Sequence, residues 1–582
     1  MKQYWSSWKN SVLAALAATY PDTDHDELAR TLTVETPPDV GKGDIAFPMF
    51  PFARLLRQNP NQIAAALAQA LNAGDRSERT APGTARELGP YVNIFLDRRS
   101  TSEDVVNSVL RENVDWGNRD DLAGRSVMIE FSCPNTNKPL HLGHLRNDAL
   151  GESVKRMLRA AGADVRPVNL INDRGIHICK SMLAYQEFGG GSTPESEGKK
   201  PDHFVGDYYV RYAQWEKDDP SVEERARRML QAWEQGDQEI NELWLTMNRW
   251  AIEGIEKTYE RTGIHFDAVY YESETYKQGR QEILNGLEAG VFYRDEKGTV
   301  WVDLTDINLD KKVLLRADGT SLYLTQDIGT AIQRHRDWPF DQLVYVVASE
   351  QRYHFQVLFE VLRRLGYEWA GNLHHLAYGM VNLPEGKMKS REGTVVDADD
   401  LIDKLAELAL EEIRRKGRED DPEDARRRAE LIALGALHYY LLQTGPVKDM
   451  VFNPEESLSF TGNTGPYLQY VGARVSSMLR KQAAPDQVRA PRELVDEEWQ
   501  LVHRIADYPW MVVEAAASLN PSVLAGYLYE TAKVFSRFYH DHPIAVASDP
   551  EIRDFRLGLS RAVMYVMQHG LQLLNIPFLE SM

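Results

Sequence analysis

Hydrophobic and polar positions follow different periods along the chain, and they divide it into three parts. Near the start, Trp5, Trp8, Val12 and Leu16 recur at helical spacing, and a second helix, NQIAAALAQALNA, precedes the strand YVNIFLD. From Ser126 the order becomes strand, loop, helix and strand, whereas only helical patterns follow Leu401. We therefore predict domains over residues 1–112, 113–400 and 401–582, with an insertion at about 190–265.

The middle part carries the pattern of an open parallel α/β sheet. SVMIEFS and VRPVNLI flank a helix predicted from about Leu142 to Gly162, and such a βαβ unit is typical of a parallel sheet. LVYVVA and LHHLAYGMV supply further strands, and we also expect a strand at GTSLYLT. The fold class is multidomain, with this α/β domain between a small α+β domain and an all-α domain.

One charged residue interrupts the first strand of the βαβ unit. In SVMIEFS, Glu130 lies on the face opposite Val127 and Ile129. Because a central strand of a parallel sheet is covered on both faces, the Glu130 carboxylate needs a cation from the protein or from a ligand. The alternative is a structural carboxylate that accepts hydrogen bonds from backbone N–H groups.

Composition narrows the class of protein only in part. The 582 residues are 43% hydrophobic and 26% charged, as in ordinary globular proteins, and the first residues match neither a signal peptide nor a membrane span. Cys133 and Cys179 stand far apart, which excludes a cysteine-rich zinc site and a disulfide framework and favours the cytoplasm. The net charge of −20 argues against general coating of nucleic acid, although basic residues cluster locally. Solvated helix faces with i,i+4 ion pairs are the simpler interpretation of these clusters: Arg225, Arg227, Arg228; Arg414, Arg415, Lys416, Arg418; Arg426, Arg427, Arg428; Arg474, Arg480, Lys481, Arg489, Arg492.

Polar side chains collect at the carboxyl ends of the predicted strands. Ligands bind at these ends in open α/β sheets, so the residues predict one crevice. They are Glu130, Asn135, Lys138, His141 and His144 after SVMIEFS; Tyr323 and Asp327 with GTSLYLT; Gln351 and His354 after LVYVVA; and Lys387, Lys389 and Ser390 after LHHLAYGMV.

The element His141-Leu142-Gly143-His144 opens the first helix of the βαβ unit. Gly143 lets the backbone approach a base or phosphate, and a helix N-terminus favours anions. Two imidazoles at i,i+3 can donate to phosphate oxygens as charge develops in a transition state, and a structural histidine pair is the alternative. No GxxxxGK[ST], GxGxxG or HExxH motif is present, so HxGH and a lysine-rich loop are the candidate phosphate apparatus.

Together these motifs resemble a known family. HLGH in the first βαβ unit and GKMKS after a later strand are similar to the HIGH and KMSKS elements of class I aminoacyl-tRNA synthetases. Further segments resemble arginyl-tRNA synthetases in their order over nearly the whole chain: IEFSCPNTNKPLHLGHLRND, INDRGIHI, VGDYYV, DGTSLYLTQDIG, KMKSREGTVV and NTGPYLQYVGAR.

The resemblance implies an activity and a set of partners. A Rossmann-like catalytic domain would form arginyl-adenylate from L-arginine and ATP with Mg²⁺, without protein-bound zinc. It would then transfer the arginyl group to the 2′-hydroxyl of the terminal adenosine of tRNA(Arg). The first domain would be an additional tRNA-binding domain and the last an anticodon-binding domain, in a cytoplasmic monomer with no membrane association.

The resemblance also assigns roles to individual residues. It carries Glu130 and Asp327, with Tyr323, onto the arginine side chain, and Asn135 and Gln351 onto its α-amino and carboxylate end. Arginine would then be the cation that Glu130 lacks within the protein. The catalytic and ATP-binding positions are His141, Gly143, His144, Lys138, Lys387, Met388, Lys389 and Ser390. The tRNA-contacting positions, for which core packing is an equal alternative, are Asn93, Phe95, Tyr467, Tyr529 and Tyr539.

Two departures from the family pattern bear on mechanism. Ser390 stands where the second lysine of KMSKS is usual, so we expect Lys138 to share the work of holding pyrophosphate. The chain ends Glu-Ser-Met rather than the more usual Glu-Arg-Met, which leaves a terminal contact with tRNA open.

Other functions fit the sequence less well. A lysine enzyme is the nearest chemical rival, because an ammonium also requires carboxylates. Synthetases for leucine, isoleucine and valine would carry a large editing insertion. A non-catalytic tRNA-binding paralogue would have a damaged HxGH or lack Asp327, and a free-standing adenylyltransferase would not need two flanking domains.

Overall fold

A small antiparallel sheet and helices that cover it make up the first part of the chain. The structure is a computed structural model, and it describes residues 1–73, 82–317, 322–382, 384, 396–415 and 421–582. The sheet has the order β1-β3-β2, and Trp8, Val12 and Leu16 of the first helix are buried, as their spacing predicts. The elements are α1 (Trp5–Thr19), α2 (His25–Thr31), β1 (Ile45–Pro48), α3 (Phe52–Leu55), α4 (Pro60–Ala73), β2 (Gly83–Leu88), β3 (Tyr91–Leu96) and α5 (Arg98–Glu112).

A five-stranded parallel sheet forms the middle of the molecule. Its strand order is β11 (Leu373–Tyr378), β10 (Gln342–Ala348), β4 (Ser126–Glu130), β5 (Asp164–Ile171) and β6 (Ala268–Tyr271). Because β4 lies between β10 and β5, its residues Val127, Met128 and Ile129 are buried, which confirms a central strand covered on both faces. The elements as far as the sheet's edge strand are β4 (Ser126–Glu130), α6 (Leu142–Ala160), β5 (Asp164–Ile171), α7 (Ile176–Phe188), α8 (Pro194–Glu197), α9 (Pro201–Asp218), α10 (Val222–Glu234), α11 (Gln238–Thr262) and β6 (Ala268–Tyr271).

The prediction of a strand at GTSLYLT is wrong for residues 322–325, the part of this segment that the structure describes. Tyr323 and Asp327 lie in the first turns of a helix, because Leu324 and Ile328 recur at helical spacing and are both buried. This helix, α13, follows a separate small antiparallel sheet of order β7-β8-β9. The elements here are α12 (Glu272–Glu288), β7 (Tyr293–Arg294), β8 (Val300–Val302), β9 (Lys312–Leu315), α13 (Tyr323–Asp337), β10 (Gln342–Ala348), α14 (Arg352–Arg364), β11 (Leu373–Tyr378) and β12 (Val381–Asn382).

Helices dominate the rest of the chain, as predicted, with one short strand that pairs back to the middle part. β13 pairs in parallel with β12, Val381 opposite Met450, so the helical part and the sheet-bearing part share a two-stranded ribbon. None of the described helices combines the length and apolar character that a bilayer crossing requires. The elements are α15 (Ala398–Arg415), α16 (Pro422–Leu442), β13 (Met450–Val451), α17 (Pro454–Ser457), α18 (Gly465–Lys481), α19 (Asp496–Ala517), α20 (Pro521–Asp541) and α21 (Pro550–Leu573).

The first part of the chain docks on the helical part. Trp116, in the connection after α5, donates its indole N–H to the carbonyl of Ile505 at 2.8 Å. The buried Asp44 carboxylate lies 2.7 Å from the His503 imidazole on α19. The two flanking parts therefore contact each other directly.

Candidate active site

A tight turn after β4 leads the chain into the candidate site. Ser132 and Cys133 both adopt positive φ, 72° and 52°, which is unusual for residues with a side chain. Two buried amides hold this turn, because Ser132 N–H donates to Asn147 Oδ1 at 2.7 Å and Cys133 N–H donates to Asn169 Oδ1 at 3.1 Å. The strained turn presents the next residues, Pro134 and Asn135, at the carboxyl end of the sheet.

Glu130 has a protein cation after all. Its carboxylate, 7% exposed, forms an ion pair with the Arg334 guanidinium of α13, which is 1% exposed. The expectation that only substrate arginine could balance this charge is therefore wrong. Arg334 comes from a helix that the sequence pattern did not reveal. A role for Glu130 in arginine binding remains a prediction without the support of an unpaired charge.

The HxGH element forms the first turn of α6 through its own imidazoles. His141 is the N-cap, and its Nδ1 accepts a hydrogen bond from Gly143 N–H at 3.1 Å. His144 Nδ1 accepts from His141 N–H, also at 3.1 Å, and the two rings lie 3.9 Å apart between centroids. The histidine pair is thus a reciprocal helix cap, with imidazole nitrogens in place of the usual oxygens.

This capping fixes the protonation of both rings. A nitrogen that accepts from a backbone N–H carries no proton, so each neutral ring has its hydrogen on Nε2. Burial, followed by the Lys138 charge, lowers the pKa of His141 to about 4, against the opposing charge of Asp397. Burial also lowers the pKa of His144 well below its usual value. Both rings are therefore neutral Nε2–H donors at neutral pH, a form suited to hydrogen bonding with phosphate oxygens.

Lys138 and His141 line one groove, of about 230 Å³, between α6, α9 and the start of α15. Burial lowers the pKa of Lys138. Lys387, Met388, Lys389 and Ser390 lie outside the described residues.

A second cavity, of about 240 Å³, lies at the carboxyl ends of the central strands. Three of the predicted arginine-binding residues line it: Asn135, Tyr323 and Asp327. Tyr323 is 73% exposed at the rim. Gln351 is exposed in a short 3₁₀ turn after β10 and is not part of this lining.

Sequence reasoning missed a second carboxylate in this cavity, Glu272. It is the first residue after β6, so the rule that ligand-binding residues follow strand ends could have found it. Asp173 fixes the start of its helix by accepting hydrogen bonds from Ser273 N–H at 2.9 Å and Ser273 Oγ at 2.6 Å. Burial raises the pKa of Glu272 to about 7, although Arg174 lowers it, and the charges of Asp327 and Asp173 add to the rise.

Asp327 is hydrogen-bonded to another side chain of the protein. Its Oδ2 lies 2.5 Å from Nε2 of His354, which is on the first turn of α14. Burial opposes the charged form of His354, but the hydrogen bond and the charge of Asp327 outweigh it and raise the pKa of His354. A cationic ligand that binds Asp327 must therefore compete with this imidazole.

One cluster has the composition of a metal site but is filled by a protein cation. Asp202, His203 and Asp399 lie close enough to share an ion. The Lys200 ammonium lies between the two carboxylates, 3.0 Å from Asp202 and 2.7 Å from Asp399. Hydrogen bonds to Asp397 and Asp399 raise the pKa of His203 to about 10, so this ring is also cationic. The donor set fits an ion-pair network rather than a divalent metal.

The predicted tRNA-contacting residues of the first part differ in exposure. Asn93 is buried and donates to the Lys42 carbonyl at 2.6 Å, so its side chain supports the local backbone. Phe95 lines a groove of about 570 Å³ between β3 and α19. The Arg86 guanidinium lies 4.4 Å from the centre of the Phe95 ring, so this groove joins an aromatic face with positive charge.

The three tyrosines of the helical part also differ. Tyr467 and Tyr529 are partly buried and contact each other edge to face, 6.0 Å between ring centroids, and Tyr467 shares a hydrogen bond with Ser536. Tyr539 instead lines an 820 Å³ cavity, with the Arg474 guanidinium 4.9 Å from its ring. Arg480, Lys481 and the last two residues, Ser581 and Met582, line the same cavity.

Comparison with known proteins agrees with this architecture. Family models match in three segments: "Arginyl tRNA synthetase N terminal domain" over residues 6–96, "tRNA synthetases class I (R), catalytic domain" over 105–454, and "DALR anticodon binding domain" over 468–582. An arginine–tRNA ligase of Treponema denticola is 53% identical over 592 aligned residues, covering 100% of both chains. One of Borrelia hermsii is 44% identical over 95% of this chain and 94% of its own. The arginyl-tRNA synthetase of Thermus thermophilus superposes with a TM-score of 0.78 at 26% identity, covering 99% of this chain and 100% of that one.

The parallel sheet, the HxGH helix and the flanking domains define a class I aminoacyl-tRNA synthetase. Within that class, the relatives that match over the full length are ligases for one amino acid. The chain belongs to the arginine–tRNA ligases, which activate arginine with ATP and transfer it to tRNA.

Proposed function

We propose that the cavity lined by Asp327 and Glu272 binds the guanidinium of L-arginine, with Tyr323 at its rim and Asn135 toward the reacting end. The observation that supports this most directly is the pair of carboxylates on one small cavity, one of them with a raised pKa. A guanidinium presents donors in a planar fork and can meet two separated carboxylates at once, whereas an ammonium is a compact point charge. This geometry favours arginine over lysine.

The HxGH helix would receive the phosphates of ATP, which enters with Mg²⁺ as part of the substrate. An arginine carboxylate oxygen attacks the α-phosphorus, and the bond to the bridging oxygen of pyrophosphate breaks. The Nε2–H groups of His141 and His144 donate to oxygens on which negative charge increases, while Lys138 and Lys387 stabilise the departing pyrophosphate. The oxygen of the tRNA 2′-hydroxyl then attacks the arginyl carbonyl, the bond from the carbonyl carbon to the phosphate oxygen breaks, AMP leaves with that electron pair, and the hydroxyl proton is released. Catalysis here is positioning and charge stabilisation, without a side-chain nucleophile.

The flanking parts would hold tRNA(Arg). Phe95 with Arg86 in the first part, and Tyr539 with Arg474 in the helical part, combine aromatic faces with cations, which suits unpaired bases and phosphates. Tyr467 and Tyr529 are less accessible candidates for the same role. We further propose domain limits of 1–112, 113–400 and 401–582, and a cytoplasmic monomer.

Aminoacylation of total tRNA with each amino acid in turn tests the amino acid specificity. Arginine alone should be esterified, and lysine should fail. Asp327→Asn keeps the shape and removes the charge, so the KM for arginine should rise steeply while the KM for ATP stays near its original value. An equal loss for both substrates would assign Asp327 to structure or to the nucleotide. Asp267→Asn, an exposed carboxylate paired with Arg159 on the same domain and away from the cavity, serves as the matched control.

A further inference from the structure

Arg146, in the second turn of α6, is enclosed by backbone carbonyls. Its side chain is buried, with 1% of the residue exposed. Nη1 donates to the carbonyls of Gly379 at 2.8 Å and Met380 at 3.2 Å, and Nη2 donates to those of Pro446 at 3.0 Å and Lys448 at 2.7 Å. Among the described residues it forms no salt bridge. The guanidinium is therefore held by four carbonyl dipoles from two separate segments.

These two segments are packed against each other at close range. Gly379 N–H donates to the Pro446 carbonyl at 2.9 Å, and Met380 N–H donates to Asp449 Oδ1 at 2.7 Å. A Cβ on Gly379 would lie 2.5 Å from the carbonyl carbon of Lys448, so only glycine permits this approach. The segments continue directly into the paired strands β12 and β13.

The first segment also leads into the lysine-rich loop that contains Lys387. Beyond that loop, the chain is bonded to the HxGH element itself, because Leu142 N–H donates to the Val396 carbonyl at 3.1 Å and Ala398 N–H to the Leu140 carbonyl at 3.0 Å. Both chain segments that flank the loop are thus attached to the start of α6, one by backbone hydrogen bonds and the other by the Arg146 side chain.

We propose that Arg146 is a positioning residue for adenylate formation: it fixes the segment before the lysine-rich loop relative to the HxGH turn. A lysine could not replace it, because a compact ammonium cannot span four carbonyls on two segments as a planar fork does. Among the described residues, Arg146 hydrogen-bonds to none of those that line the arginine cavity, and its partners precede the lysine-rich loop or pair with that segment, so we assign it to the nucleotide half of the site. The inference rests on the proposed phosphate-binding role of HxGH and the loop.

Steady-state aminoacylation kinetics separate this role from general structure. In Arg146→Ala we expect kcat to fall by about tenfold or more and the KM for ATP to rise, while the KM for arginine stays within about twofold. Asp449→Ala loosens the same junction from the exposed side and should show the same split with a smaller effect. Arg156→Ala is the matched control, since Arg156 also joins α6 to the helical part, through the Gln572 carbonyl at 2.7 Å, but contacts neither segment. It should leave all three parameters near the wild-type values.

Chemical rescue gives an independent readout. Free guanidinium ion in the low-millimolar range should restore part of the kcat of Arg146→Ala by occupying the vacated carbonyl site, whereas Arg146→Lys should remain impaired. Wild-type enzyme at the same guanidinium concentration controls for competition with arginine. Equal changes in the KM values for ATP and arginine in Arg146→Ala would overturn the proposal. If Arg146→Ala fails to fold, Asp449→Ala decides, and unchanged kcat and KM values in that variant would overturn the proposal as well. A fault in the underlying phosphate-binding role would appear separately, as an unchanged kcat in His141→Asn, which leaves the Arg146 contacts intact.

Discussion

Arginine binding should depend on pH through Glu272. In the free enzyme, burial raises the pKa of this carboxyl to about 7, and a bound guanidinium would favour its ionised form. Affinity should therefore rise with pH and level off above the pKa of the free enzyme. One pH unit below a pKa of about 7, only about one tenth of the molecules carry the ionised carboxylate, so kcat/KM for arginine at pH 6 should be roughly tenfold below its plateau. At pH 7 it should be about half of the plateau value, both figures counting Glu272 alone.

Two measurements check this. The first is kcat/KM for arginine between pH 5.5 and 8.5 with ATP and tRNA saturating, for the wild type and for Glu272→Gln. The second is calorimetry of arginine binding in buffers with different ionisation enthalpies, which counts protons. Near pH 7 the wild type should release about half a proton from Glu272 for each arginine bound.

His354 acts in the same direction, because its imidazolium competes with arginine for Asp327. Glu272→Gln should therefore keep a shallower pH dependence, and adding His354→Asn should flatten it. Arg174 and Asp173, the other charged groups that act on Glu272, are unchanged in both variants. A Glu272→Gln enzyme with the full wild-type slope would refute the reasoning, because the titrating group would then lie elsewhere.

Three further predictions follow from the site and its surroundings. His141→Asn and His144→Asn keep a side-chain acceptor but lose the Nε2–H donor, so kcat should fall by about 100- to 1000-fold while the KM for arginine hardly changes; near-normal aminoacylation rates would contradict the donor role. ATP–pyrophosphate exchange should be negligible without tRNA and strong with it, since Ser390 stands where the second lysine is usual. Lys138→Ala and Lys387→Ala should each depress this exchange. Robust exchange without tRNA would refute the tRNA requirement, and full exchange in Lys138→Ala would remove that residue from the mechanism. Asp148 is buried in α6, and burial, followed by the charge of Glu152, raises its pKa to about 8 against the opposing hydrogen bond with Ser132. The folded state thus keeps a proton that the unfolded chain loses near pH 4, so the free energy of unfolding falls as pH rises from about 4 to about 8. Asp148→Asn should therefore raise the apparent Tm more at pH 8 than at pH 5. An equal gain at both pH values would show that the titration of Asp148 is not the cause.

The spacing of apolar residues and the capping residues near them predicted the helices and strands that such short-range signals determine. Helix α6 begins at Leu142 as expected, because His141 and His144 cap it from within four residues of sequence. The apolar faces of β4 and β5 identified the core of the sheet. The strand prediction at GTSLYLT failed at residues 322–325 because a short run of strand-favouring residues next to a helix start has no clear period. The buried apolar stripe that defines α13 continues after Leu324, beyond this run.

Pairings between distant residues were not predictable in the same way. Glu130 and Arg334 meet because β4 and α13 pack together, and nothing near either residue marks the other. The four carbonyls around Arg146 are backbone groups, which a sequence does not distinguish. Glu272 differs from both, since its place after a strand was a usable signal, but that strand, Ala268–Tyr271, is short and follows a long helical insertion.

The strand order has a consequence for how the chain is made. The central strand β4 pairs with β5 on one edge, but its other partner, β10, follows roughly 210 residues later and leaves the ribosome on the order of 10–40 s after it. Through that interval the apolar stretch Val127–Ile129 presents an unpaired edge, which is open to pairing with other chains. Nascent chains stalled before β10 has emerged should therefore be cleaved readily by protease within the sheet, and chains stalled after β11 should resist. Equal resistance of the two kinds of stalled chain would mean that β4, β5 and β6 fold stably without β10. Greater cleavage before β10 emerges would mean that this domain is exposed to aggregation for most of its own synthesis.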